Sequence, residues 1–66
     1  MTTLPKYKKN LKIDDIYVYS YNTKVAGIDH ESGQIVKLGY WSPTTSKHIN
    51  YVGKYFNYVV IGKEVA

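Results

Sequence analysis

The chain has no cysteine and no arginine, one methionine and one tryptophan, and only two prolines in 66 residues. Without thiols it forms no disulfide, runs no thiol chemistry and offers no cysteine ligands for zinc or iron–sulfur clusters, which fits a reducing compartment. No apolar run approaches the roughly 18 residues of a membrane span, and the lysine-bearing start lacks the apolar centre of a signal peptide. A soluble, intracellular protein with no membrane partner is expected. Acidic residues are also scarce: nine lysines against five carboxylates leave a net charge of +4. At this length only one small domain forms, and it buries about 60% of the surface that its unfolded chain exposes, so the core is thin.

Residues 1–12 carry Lys6, Lys8, Lys9 and Lys12 around Pro5 and Tyr7. Their low apolar content predicts a flexible basic N-terminal arm, followed by a single α+β domain over 13–66. From Ile13 the pattern alternates as in a strand, with Ile16 and Val18 on one side and Tyr17, Tyr19 and Tyr21 on the other. A second strand is expected from Val25 to Asp29 and a third from Gln34 to Trp41, joined by Glu31-Ser32-Gly33 as a three-residue loop with glycine in its left-handed position. Closing that loop between His30 and Gln34 sets Ile28 beside Val36 and Ala26 beside Leu38. Between the first two strands, a two-residue turn and a three-residue loop place the tyrosines on opposite faces. The longer connection, Tyr21-Asn22-Thr23, sets Ile16 opposite Ile28 and Val18 opposite Ala26, and keeps one apolar face continuous.

Ser42-Pro43-Thr44-Thr45 reads as a helix start, with a serine cap and proline in the first turn, where no donor is needed. Thr45, Ile49, Val52 and Phe56 then recur at helical spacing, with Lys47, Asn50 and Lys54 opposite. Gly53 weakens the helix by up to about 1 kcal/mol relative to alanine, which makes sense where backbone lies close to the sheet. Asn57 ends the helix, Tyr58 to Ile61 form a fourth strand, and Gly62 to Ala66 form a short tail. The expected architecture is β-β-β-α-β: an antiparallel sheet with one helix packed on one face.

The other sheet face then shows Tyr17, Tyr19, Lys37 and Trp41, with Tyr21 and Lys24 at the connecting loop. Rings beside ammonium groups suit stacked single-stranded nucleic acid. They equally suit a protein interface, where tyrosine and tryptophan act as anchors, or plain β-propensity. The helix start offers a possible anion site in Ser42, Thr44, Thr45, Lys47 and His48, whose structural alternative is a well-capped helix. Thr44 and His48 can meet on one helical turn, but no carboxylate is placed to orient the imidazole, so no catalytic residue is assigned. His30 and His48 match no metal-ligand spacing, so neither a metal nor a cofactor is expected.

Tyr21-Asn22-Thr23-Lys24-Val25-Ala26, followed by Gly39-Tyr40-Trp41-Ser42-Pro43-Thr44-Thr45-Ser46-Lys47-His48-Ile49-Asn50, resembles a small domain of unknown function encoded by bacteriophages and archaeal viruses, over roughly residues 20 to 60. The resemblance implies a viral accessory protein acting in the host cytoplasm and carries no catalytic residues. The leading expectation is a non-enzymatic protein that binds a host or viral protein through its tyrosine-rich face or a sheet edge. An edge would also serve a homodimer. The alternative is a single-stranded DNA- or RNA-binding protein that stacks bases on the rings and neutralises phosphates with lysines.

Overall fold

The computed structural model describes residues 2–62. Six strands and one helix follow in order: β1 (Thr2–Thr3), β2 (Leu11–Ile13), β3 (Tyr17–Ser20), β4 (Thr23–Asp29), β5 (Gln34–Lys37), α1 (Pro43–Phe56) and β6 (Val59–Ile61). The spatial order in the sheet is the same as the chain order. Neighbours from β1 to β5 are antiparallel, whereas β6 runs parallel to β5. The fold class is α+β as expected, but the sheet is mixed and longer than β-β-β-α-β. The parallel pairing follows from the helix: a strand that leaves and returns through a helical crossover re-enters the sheet in the same direction.

The basic arm expected over 1–12 is instead part of the fold from Thr2 onward. Leu4 and Leu11 are buried in the core and Tyr7 packs against it. The amides of Asn10 and Leu11 both donate to the Tyr7 carbonyl, and that of Tyr21 donates to the Asn10 carbonyl. Lysine dominates the composition here, yet three apolar side chains suffice to seat the segment. Of the expected C-terminal tail, residues 63–66 lie outside the described residues.

Two registers differ from expectation. The β3–β4 connection is the two-residue turn, with Tyr21 at φ 52° and Asn22 at φ 67°. Ser20 therefore faces Thr23, but a bulge between Val18 and Tyr19 on one side and Lys24 and Ala26 on the other leaves Val25 unpaired. That extra residue restores Val18 opposite Ala26, the pairing the longer loop was meant to achieve. The β4–β5 connection has four residues, closed by the Gly33 amide on the Asp29 carbonyl with Gly33 at φ 70°. Asp29 faces Gln34, Ile28 faces Ile35 and Ala26 faces Lys37. The single-residue slip turns Ile35 inward and Val36 outward. Lys37 moves into the helix-side phase of the sheet, and Leu38 is exposed rather than paired with Ala26.

Helix α1 begins and ends where its sequence says. The Ser42 hydroxyl oxygen accepts from the Thr45 amide, Pro43 occupies the first turn, and Asn57 closes the helix in the left-handed conformation. Its inner stripe sets Ile49 and Val52 on Val18, Ala26, Ile28 and Ile35. Gly53 is the point of closest approach, since a Cβ there would lie 2.5 Å from Val60 Cγ2 and 3.2 Å from the Tyr58 carbonyl oxygen. Ile16, expected beneath the helix, is 54% exposed. Asp14 accepts from the amides of Ile16 and Tyr17, which bends the chain before β3 and leaves the Ile16 side chain in solvent while its carbonyl still accepts from the Ile28 amide of β4.

Candidate functional site

Among the described residues, the outer sheet face has no second layer. Register places Lys12, Tyr19 and Lys24 in one row across β2, β3 and β4. A second row runs through Tyr17, Gly27, Val36 and Ile61. Lys24 Nζ lies 3.9 Å from the centre of the Tyr17 ring, which stands 6.5 Å from that of Tyr19. Both tyrosines are half-buried, and the site between Tyr17 and Val36 is flat because a Cβ on Gly27 would meet only the Ile16 carbonyl oxygen at 3.8 Å. The Tyr19 hydroxyl donates to Asp14 Oδ2. Amide donation from Ile16, followed by that from Tyr17, holds the Asp14 carboxyl below its ordinary range. The same bond to Asp14 pushes the Tyr19 phenol up, so it stays a neutral donor.

Three of the expected contact residues, Tyr17, Tyr19 and Lys24, thus share this face; the other three do not. Tyr21 sits in the turn with its ring 5.7 Å from that of His48, on the helix side. Lys37 follows the register of Ala26. Trp41 is half-buried and donates its indole N–H to the Val25 carbonyl at 2.9 Å, filling the space beside the bulge. At the upper rim, Lys9, Asn10, Lys12, Tyr19, Tyr21 and Asn22 line a hollow of about 210 Å³.

The anion site expected at the helix start is not assembled. Ser42 is committed to its cap, and Thr44 and Lys47 are exposed, while Thr45 and His48 turn inward. Ser20 Oγ lies 2.8 Å from His48 Nδ1 and 3.2 Å from Thr45 Oγ1. A serine hydroxyl on an imidazole suggests a nucleophile and its base. Here, however, Ser20 is 1% exposed and His48 2%, with Tyr7 and Tyr21 over the ring. The cluster is a satisfied polar core, and sequence reasoning missed it because Ser20 occupies an inward strand position that reads as unremarkable. His30, at the β4–β5 turn, donates Nε2–H to the Asp15 carbonyl, leaving Nδ1 to accept from the Tyr58 hydroxyl. No cluster of three metal-ligating side chains occurs among the described residues.

Burial lowers the pKa of His48 from its ordinary 6.5. The unfolded chain therefore takes up the proton more readily than the native one, so stability is full above pH 6.5 and declines as pH falls below it. Urea midpoints measured at pH 7.5 and pH 5.5 are expected to drop in the wild type and to drop less in His48→Gln, which cannot titrate. Equal drops in the two proteins would rule out this role for His48.

Charge is unevenly distributed along the strand axis, with Lys54 in the last turn of α1 as an exception at the acidic end. Lys6, Lys8 and Lys9 in the β1–β2 loop, Lys24 beside the β3–β4 turn and Lys37 at the exit of β5 share one end of the sheet with the start of α1. The four acidic residues among those described, Asp14, Asp15, Asp29 and Glu31, lie in or beside the two turns at the other end.

A second concavity was not anticipated. The β1–β2 loop, the outer flank of α1 and the chain leading into β6 at Tyr58 and Val60 line an open groove of about 500 Å³, with Lys6, Tyr7, Lys47, Asn50, Tyr51 and Lys54 on the loop and helix walls. Its helix half was legible as the polar stripe Lys47, Asn50 and Lys54. Its loop wall comes from residues 40 or more positions away in the chain.

These features define a small α+β domain with a five-strand meander, a helical crossover to a parallel edge strand, and cationic aromatic surfaces on both sides of the sheet. The chain belongs to a family of unknown function, DUF8033, whose family model matches residues 2–62. No curated protein and no solved structure matches it. No helix among the described residues is long and apolar enough to cross a membrane.

Proposed function

We propose that this protein is a non-enzymatic module that binds single-stranded nucleic acid on the outer face of its sheet. The observation that carries this reading is the Lys12–Tyr19–Lys24 row beside Tyr17 and the open Gly27 position. Bases stack on the rings while ammonium groups on either side meet the phosphates, each stacked base contributing about 1–3 kcal/mol. The placement of Asp15, Asp29 and Glu31 at the far turns supports the same reading, because it leaves Asp14, bonded to the Tyr19 hydroxyl, as the one described carboxylate in contact with the row. A viral accessory role in the host cytoplasm belongs to the proposal as well, supported by the resemblance of the Tyr21–Ala26 and Trp41–Asn50 segments.

Fluorescence anisotropy of labelled single-stranded DNA and RNA at two salt concentrations tests it. With about four phosphates neutralised, the log–log slope of affinity against salt is expected near −3. Tyr19→Ala is expected to weaken binding about 5- to 150-fold. Absence of binding to either strand at low salt would remove the proposal.

One observation favours a second reading, contact with a host or viral protein. Among the described residues strand β6 is an edge of the sheet, on which Val59 is 63% exposed next to outward Val36 and Ile61, so it can accept a partner's strand, including that of a second copy. Capture that is indifferent to salt and lost in Val59→Lys would favour this edge over the sheet face.

A further inference from the structure

We infer that the groove between the β1–β2 loop and the outer flank of α1 is a binding site for a nucleotide, a ligand carrying both an aromatic base and a phosphate. It shares no residue with the sheet face and stands independently of the reading given for it.

The groove combines two recognition chemistries that a plain solvated helix flank lacks. Lys6, Lys47 and Lys54 line it, and among the described residues no carboxylate does. Lys47 and Lys54 are seven residues apart, about 10 Å along the helix axis. That separation suits a ligand whose anionic group and ring occupy different parts of one cleft. The volume, about 500 Å³, lies within the range of roughly 300–1,000 Å³ typical of small-molecule sites. Amide side chains of Asn50 and Asn57 on the same wall supply both donors and acceptors, which a base edge requires and a bare phosphate does not.

The rings are held in place before any ligand arrives. Tyr7 packs on His48 at 4.7 Å between ring centres and meets Tyr51 edge-on at 5.6 Å, and Tyr51 continues to Tyr55 at 6.4 Å. Lys6 Nζ stands 5.1 Å from the Tyr7 ring. Tyr7 itself adopts φ 59°, in the left-handed region that residues other than glycine seldom occupy and that Tyr21 shares in the β3–β4 turn. Two amides, of Asn10 and Leu11, converge on its carbonyl and hold the loop in this conformation. Backbone strain is thus accepted at the one loop residue whose ring forms the groove wall. A half-buried, pre-positioned ring costs little ordering entropy when a base stacks on it.

Ligand titrations followed by NMR on the full chain test the inference, with adenosine monophosphate, adenosine, inorganic phosphate and a single-stranded oligonucleotide as probes. Adenosine monophosphate is expected to shift the ring resonances of Tyr7 and Tyr51 saturably, and adenosine or phosphate alone to bind at least tenfold more weakly. Tyr51→Ala is expected to weaken binding about fivefold or more. Lys54→Ala, an exposed change that leaves the core intact, weakens it about two- to fivefold. If the oligonucleotide alone produces these shifts, the nucleotide recognised is a unit of a strand; if the monophosphate does, it is a free ligand. Phosphate binding as tightly as the monophosphate, or no saturable shift at Tyr7 and Tyr51 with any probe, would overturn the assignment.

Discussion

Replacing Leu11 by alanine is expected to remove about 2–5 kcal/mol of stability, the cost of truncating a fully buried leucine. A domain of this size has about 3–10 kcal/mol in total at the usual 0.05–0.15 kcal/mol per residue, so the variant should be partly or wholly unfolded at room temperature. Leu11 is 0% exposed and opens β2 opposite Ser20, in the same core as Leu4, Val18 and Ile49. Urea denaturation followed by circular dichroism gives the number, with Lys8→Ala, which changes an exposed residue of the same segment, as the neutral control. A Leu11→Ala protein as stable as that control would return residues 2–12 to the status of an unpacked arm.

Gly53→Ala is the second large effect, and two physical terms oppose each other in it. Alanine in place of glycine inside a helix is worth up to about 1 kcal/mol in favour of the variant. Against it stands a methyl group placed 2.5 Å from Val60 Cγ2 and 3.2 Å from the Tyr58 carbonyl oxygen. The valine is branched and partly packed against the core, and the carbonyl belongs to the backbone entering β6, so neither yields freely. Overpacking of this kind costs about 1–3 kcal/mol, and the net change is expected to be destabilising. Adding Val60→Ala opens the space the new methyl needs. The double variant should therefore be less unstable than the sum of the two single changes, a coupling readable from urea midpoints. A Gly53→Ala protein more stable than wild type would show that helix and sheet do not touch there.

What was legible in the sequence is the helix and the orientation of β3. Ser42-Pro43 and Asn57 mark chain positions with specific backbone chemistry, and the spacing of Thr45, Ile49 and Val52 has one solution. Val18 between two tyrosines is equally plain: it is buried, and Tyr17 and Tyr19 face outward. Register was harder, because Ile35 and Val36 are both β-branched and apolar, and nothing in their chemistry says which goes inward. Only the length of the turn decides, and a three-residue loop and a four-residue one both accommodate Gly33 in its left-handed position. At Val25 the alternation is broken by a bulge, which no pattern of period two can represent. The site divides along the same line. Tyr17, Tyr19 and Lys24 could be placed together because they lie on adjacent strands joined by a short turn. Tyr7 and Tyr51 could not, since their meeting depends on the packing of the first loop against a helix about three-quarters of the way along the chain.

The sheet's ordering has a kinetic consequence. Each strand up to β5 pairs with the one just completed, so these hairpins can assemble as the chain leaves the ribosome, with little loop entropy to overcome. Strand β6 is the exception, because its partner is separated from it by the whole of α1. Docking of the helix and closure of β6 onto β5 are therefore the slow events, and until they occur β5 presents an open flank to any other nascent chain nearby.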